Sequence, residues 1–148
     1  MLEHYGPILK PKVVIVNLFP NDVHINHHKV IMGKGIPERN YEEMFSYLER
    51  IRNYCEKFSI KLVLAVIPSK EQFLELKGYS VFQNRVEAWC HSRKLILLDP
   101  RTYFEQIGVD EIYFFWDPHF CVQGHRHYAD FLHKYLFPII SDVLPINK

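Results

Sequence analysis

The sequence has few cysteines, no long apolar run and almost no net charge. Its three cysteines (Cys55, Cys90 and Cys121) are widely spaced and form no C-x-x-C pair, which argues against a disulfide framework or a zinc ribbon and favours reduced thiols. No run approaches the about 18 apolar residues that cross a bilayer, so we expect no membrane span. The 18 basic and 17 acidic residues leave a formal net charge of +1, so nucleic acid is not an expected partner.

The composition is that of an ordinary globular domain. Of the 148 residues, 48% are hydrophobic and 24% are charged, which excludes a disordered, collagen-like or coiled-coil chain. There is no internal repeat, low-complexity segment or linker, so residues 1–148 are predicted to form a single domain. The first residues lack the basic and apolar segments of a signal peptide, and the compartment is left open.

Apolar runs and helical spacing alternate along the chain. Three runs predict strands buried on both faces: 13–19, 61–67 and 95–98. Periodic apolar residues predict three main helices, over about 41–58, 81–93 and 122–136, with shorter helices around 69–76 and 103–107. Asn40 and Glu43 resemble a capping box at the start of the first main helix. This order predicts right-handed crossovers, a parallel sheet and a three-layer α/β/α sandwich.

Two clusters of polar residues could carry chemistry, one before the final helix and one after the first strand. Asp117 and His119 lie in a loop before the final helix, where a carboxylate two residues from a histidine could fix the imidazole tautomer and stabilise its protonated form. Such a histidine could act as a general base toward a hydroxyl. The alternative is a loop aspartate that caps the helix beside a histidine on the polar surface.

Asn21 is open to two interpretations as well. It follows the first strand in Pro20-Asn21-Asp22, and sites in parallel sheets gather at the carboxyl ends of strands. Its amide could stabilise a developing oxyanion. The same three residues are also a common turn sequence.

Taken in order, these segments resemble the SGNH (GDSL-like) hydrolase and acyltransferase superfamily over essentially the whole chain. The carrying segments are four: Val13 to Asp22, similar to a strand ending in Gly-x-Asn-Asp; Val63 to Gln72, similar to a strand and turn of acyltransferase-like members; Leu97 to Pro100; and Trp116 to His125, similar to Asp-x-His-Trp-Asn-x-x-Gly-His. The resemblance implies a flavodoxin-like α/β/α fold and Ser-His-Asp acyl-enzyme chemistry on an ester, without a cofactor.

The resemblance also implies a role for each matching residue. His119 would be the general base and then the acid, Asp117 would orient it, and Asn21 would donate to the oxyanion. Gly124 would allow close packing where the last helix begins, and His125 would be structural. The substrate would be a small-molecule or carbohydrate ester. Hydrolysis and carbohydrate O-acyl transfer both remain open.

The sequence departs from the superfamily pattern at three points. Phe19 stands where the pattern has glycine, and Cys121 stands where it has asparagine, which predicts a weaker cap on the last helix. No Gly-Asp-Ser block precedes Asn21. We therefore expect a C-terminal portion of such a domain, with Leu2 to Leu9 as the tail of a helix and the nucleophile outside the chain.

Ser69 is the most plausible substitute nucleophile, because it follows a strand, but its position favours a helix N-cap. The isolated chain is accordingly predicted to be inactive. A non-enzymatic alternative is a binding module, or a homodimer formed through the exposed sheet edge. The aromatic run Tyr113 to Trp116 could join such an interface, although core packing is the more common fate of large aromatics.

Nine histidines raise the question of a metal site. Two groups stand out, which are His24, His27 and His28, and then His119, His125 and His127. The first has no supporting carboxylates, and His125 and His127 point to different sides of a helix because they are two residues apart. No metal site is therefore assigned.

Overall fold

The computed structural model describes residues 2–23, 37–74 and 80–144, with only the backbone of residues 2–5, Asn21 and Ser80. Three strands are present in this part: β1 (Val13–Leu18), β2 (Lys61–Val66) and β3 (Ile96–Leu98). Its α-helices are α1 (Leu2–Leu9), α2 (Glu38–Lys57), α3 (Lys70–Phe73), α4 (Ser80–Ser92), α5 (Arg101–Ile107), α6 (Val109–Ile112) and α7 (Val122–Val143). A 3₁₀ turn, Pro20–Val23, follows β1.

The strands form a parallel sheet in the order β1-β2-β3. Val13 pairs with Lys61, and Val63 pairs with Ile96. The predicted α/β class with a parallel sheet is confirmed. Because the strands are parallel, the residues that follow Leu18, Val66 and Leu98 all emerge at one rim of the sheet.

Strand β2 occupies the centre of the sheet and is buried after its first residue. Its alternate side chains enter two apolar clusters. Leu64 and Val66 pack with residues of α2 and α4, whereas Val63 and Ala65 pack with residues of α5, α6 and α7. Since successive side chains of a strand point to opposite faces, the described helices cover both faces of β2.

The prediction that the first strand is buried on both faces is wrong. Ile15 is 38% exposed, and Asn17 is exposed as well. The apolar run alone could not separate a central strand from an edge strand. Strand β1 lies at one edge of the sheet, where the described elements cover it only in part.

The two longest of the described helices differ from the predictions at one end each. Asn40 is not an N-cap: helix α2 already begins at Glu38, and the buried Asn40 side chain donates from Nδ2 to the carbonyl of Val23 at 2.8 Å. Helix α7 continues beyond its predicted end through Pro138. Pro138 cannot donate a helical hydrogen bond, but Leu136 and Ile139 still pack against the core and offset that loss.

None of the helices in the described ranges combines the length and apolar character needed to span a bilayer. Cys55 and Cys90 are buried free thiols, and Cys121 is a partly exposed one. Burial raises the pKa of Cys90 to about 12, so this thiol stays protonated and unreactive at neutral pH.

Candidate functional site

A short loop between α6 and α7 carries the predicted acid–histidine pair. Tyr113 and Phe120 form an antiparallel bridge at its base, and both side chains are buried in the core. Above the bridge, the N–H of Phe114 donates to the carbonyl of His119 at 3.1 Å. The apolar base thus anchors the two ends of the loop, while Asp117 and His119 stand in its exposed part.

His119 contacts the carboxylate of Asp117 through both its backbone N–H and its ring. Oδ1 of Asp117 accepts from the backbone N–H of His119 at 2.8 Å and lies 2.5 Å from Nδ1 of the ring. The His119 side chain is 76% exposed and that of Asp117 is 42% exposed. A carboxylate at Nδ1 favours the tautomer with its proton on that nitrogen, which leaves the Nε2 lone pair free to accept a proton.

The hydrogen bonds from His119 also lower the pKa of Asp117. The backbone N–H of His119 has the largest effect and the imidazole the next, while the positive charge of Lys70 makes a smaller contribution. Asp117 is therefore ionised at neutral pH, as an orienting carboxylate must be.

The turn after β2 connects this loop to the sheet. Tyr113 donates from its hydroxyl to the carbonyl of Pro68 at 2.8 Å. The ammonium of Lys70 donates to the carbonyls of Phe114 and Phe115, each at 2.7 Å. Sequence reasoning gave Lys70 no role at the site and considered Tyr113 only for core packing or an interface, because contacts across 44 and 45 residues leave no local pattern.

Asn21 lies in the 3₁₀ turn directly after β1. The turn is closed by two bonds of 2.8 Å, from the N–H of Asp22 to the carbonyl of Phe19 and from the N–H of Phe19 to Oδ2 of Asp22. The backbone thus forms the turn that one interpretation predicted. The Asn21 side chain lies outside the description, so the oxyanion role stays a prediction.

The two predicted parts of the site lie at the same rim of the sheet. The carbonyl of Leu18, just before the Asn21 turn, accepts from the N–H of Ile67 at 2.8 Å. One residue further on, Pro68 accepts from Tyr113 at the base of the histidine loop. The segment after β2 therefore contacts both the end of β1 and the loop with the acid–histidine pair.

None of the serine side chains in the described ranges has a hydrogen bond to Asp117 or His119. The hydroxyls of three of them donate to carbonyls within their own helices: Ser46 to Glu43 at 2.7 Å, Ser92 to Trp89 at 2.8 Å and Ser141 to Phe137 at 2.9 Å. Ser69 occupies the N-cap position of α3 and is only 3% exposed. A hydroxyl so buried is closed to an ester substrate, which agrees with its predicted capping position.

The start of α7 depends on two residues beside the loop. Cys121 is its N-cap, and the Sγ atom accepts from the N–H of Gly124 at 3.5 Å. A thiol thus fills the place where the superfamily pattern has asparagine. A Cβ on Gly124 would lie 1.9 Å from the carbonyl oxygen of Ile112, which confirms that this glycine allows close packing.

The expectation that the aromatic run Tyr113 to Trp116 packs in the core is wrong for three of its four residues. Tyr113 is buried, but Phe114 is 42%, Phe115 83% and Trp116 85% exposed. The bridge at the base of the loop buries only Tyr113, and the next three residues project beyond it. The most exposed aromatics therefore stand immediately before Asp117.

A cavity of about 380 Å³ lies beside the Asn21 turn, between β1 and α2. Asp22 and Val23 line it together with Asn17, Met44 and Tyr47, but no residue of the histidine loop does. The cavity and the acid–histidine pair are thus separate features of the described structure.

In the described ranges, no group of three or more His, Cys, Asp or Glu residues is placed to hold a metal ion. His24, His27 and His28 lie outside the described residues. The ring of His125 packs edge-on against Phe120 with centroids 5.6 Å apart.

The chain matches no protein-family model, no curated protein and no solved structure. A function for it is therefore argued from the site itself.

Proposed function

We propose that this chain supplies the general base and orienting acid of an SGNH-type ester hydrolase. The observation that carries the proposal is the contact of Asp117 Oδ1 with His119 Nδ1 at 2.5 Å. It is supported by the position of that pair in a loop beside the carboxyl ends of parallel strands, the usual place for sites in such sheets. The fold proposed for the domain is the three-layer α/β/α sandwich of that superfamily.

In this proposal His119 removes the proton from a serine hydroxyl through Nε2 as the serine oxygen attacks the ester carbonyl. Asp117 stays ionised and stabilises the imidazolium that forms. Asn21 donates to the oxygen of the tetrahedral intermediate. The imidazolium then protonates the departing alcohol. The resulting acyl-serine is cleaved by water in a hydrolase or by another hydroxyl in an acyltransferase.

The serine is proposed to lie outside this chain. Ser46, Ser92 and Ser141 donate within their own helices and Ser69 is buried, while Ser59 is exposed in the turn that precedes β2, at the opposite end of that strand from the histidine loop. The 148-residue chain should then hydrolyse p-nitrophenyl acetate no faster than its His119→Ala variant. A burst of p-nitrophenol that depends on His119 would refute this assignment of the nucleophile.

The decisive experiment starts from the DNA that precedes the Met1 codon. An in-frame Gly-Asp-Ser-like block is expected there, and the extended chain should react with a fluorophosphonate at that serine and hydrolyse the ester. In the extended chain, His119→Ala should lower kcat/KM by about 10³-fold or more. His125→Ala is the matched control and should keep the activity. Absence of such a block, or full activity of the His119→Ala variant, would overturn the proposal.

An interaction module is the second candidate, and the exposed aromatics favour it. Phe115 and Trp116 are 83% and 85% exposed beside the loop, and β1 forms one edge of the sheet. Edge strands and exposed apolar side chains both favour association. Sedimentation at micromolar concentration should reveal a dimer in this case, whereas a stable monomer would count against association of two copies.

A further inference from the structure

Lys70 reaches from the start of α3 to the loop that carries Asp117 and His119. Its ammonium donates to the carbonyl oxygens of Phe114 and Phe115, each at 2.7 Å. The ammonium also lies 5.8 Å from the centroid of the Phe115 ring. One cation therefore binds two consecutive carbonyls of the loop.

The hydrogen bond that the loop itself makes to the carbonyl of Phe114 is long. The carbonyl of Phe114 also accepts from the N–H of Asp117, but at 3.5 Å. Hydrogen bonds from a charged donor are roughly twice as strong as neutral ones. Lys70 thus makes the shorter and stronger bond to the carbonyl that closes the turn in front of Asp117.

Side-chain packing adds little to hold the outer part of the loop. Trp116 is 85% exposed, and the side chains of Asp117 and His119 are 42% and 76% exposed. The buried base reaches only to Tyr113 and Phe120. In the part of the chain that the structure describes, the hydrogen bonds that tie the loop beyond this base to the rest of the domain are therefore those from Lys70.

We propose that Lys70 is a positioning residue that holds the histidine loop in the conformation in which Asp117 orients His119. The catalytic importance of this residue rests on the proposed function, whereas its effect on the loop does not. A cation at this place also suits the site, because the groups acting on the charge of Asp117 are His119 and Lys70. The lysine thus both fixes the backbone and favours the ionised carboxylate.

The test compares Lys70→Met and Lys70→Arg with the unaltered chain. Two quantities are measured: the pKa of Asp117, from its carboxyl ¹³C shift, and hydrogen exchange at the His119 amide. Lys70→Met should raise the pKa of Asp117 and speed exchange of that amide by about tenfold or more. Lys70→Arg should restore most of both, because arginine keeps the charge and can donate to two acceptors.

Lys134→Met is the matched control, since this lysine lies on the exposed side of α7 over the Tyr135 ring, with 5.3 Å to its centroid. It should change neither quantity. Unchanged values in Lys70→Met would overturn the inference. So would faster exchange of equal size in β2 and α7, which would indicate a general structural role. If Lys70→Met does not fold, Lys70→Gln is measured in the same way.

The outcome is independent of the fluorophosphonate experiment. A changed Asp117 pKa in Lys70→Met without a reactive serine would leave the positioning role standing and remove the ester chemistry. A reactive serine with an unchanged Asp117 pKa would do the reverse.

Discussion

One carboxylate oxygen of Asp117 serves both the backbone and the ring of His119, at 2.8 Å from the N–H and 2.5 Å from Nδ1. The two contacts together fix the direction of the imidazole relative to its own backbone. A histidine held in this way presents Nε2 with its lone pair available, although both side chains are open to solvent.

The first prediction concerns the charge of Asp117. Its pKa lies below the ordinary aspartate value because the backbone N–H of His119 donates to it and, to a smaller extent, because the imidazole does. His119→Ala keeps the backbone N–H and removes the imidazole, so it should raise that pKa only part of the way toward the ordinary value. The carboxyl ¹³C shift measured against pH reports it. His125→Ala, which removes the ring that packs against Phe120, should leave the Asp117 titration unaltered, and an equal effect of both variants would contradict the assignment.

The sign of the pH dependence follows from the same contact. A carboxyl whose pKa is lowered by folding stabilises the folded state above the ordinary aspartate pKa, and this contribution is lost as the pH falls through the lowered pKa. Because both partners are exposed, the effect should be small and should weaken in high salt. Urea unfolding at two salt concentrations across that pH range measures it.

The second prediction concerns Gly124. A Cβ at this position would overlap the backbone carbonyl of Ile112, and no side-chain rotation relieves a clash with backbone. Gly124→Ala should therefore lower the free energy of unfolding by about 1–3 kcal/mol. Gln123→Ala, at an exposed position one residue earlier, is the control. An unfolding midpoint of Gly124→Ala equal to that of the unaltered chain would show that the two segments do not pack so closely.

The third prediction separates the exposed aromatics from the core. Trp116 is 85% exposed and Phe104 is fully buried. Trp116→Ala should change the free energy of unfolding by less than about 0.5 kcal/mol, whereas Phe104→Ala should lower it by about 3–5 kcal/mol. Acrylamide should quench the fluorescence of Trp116 much more strongly than that of Trp89, which is 8% exposed. A large loss of stability in Trp116→Ala would mean that the loop packs against the domain.

The local sequence pattern was sufficient to predict most strands and helices, but it did not predict what packs around each of them. The apolar run of 61–67 predicted a strand buried on both faces and β2 is one after its first residue, but the similar run of 13–19 forms a half-exposed edge strand. The two runs differ in their neighbours in space. For the same reason the spacing of Asn40 and Glu43 suggested a cap, whereas Asn40 instead bonds to Val23 across 17 residues.

The candidate site divides in the same manner. Asp117 and His119 are two residues apart, so their pairing is a local matter that the sequence could predict. The amino-acid sequence by itself determined the alternation of strands and helices and this pair, because both depend on neighbours within a few residues. The parallel sheet followed from that alternation, because a helix between two strands returns the chain to the starting end of the sheet. Only the tertiary structure decided that Lys70 binds the loop, that the backbone of Ile112 is what Gly124 packs against and that Trp116 is exposed. These depend on which distant segments meet when the sheet and its helices pack.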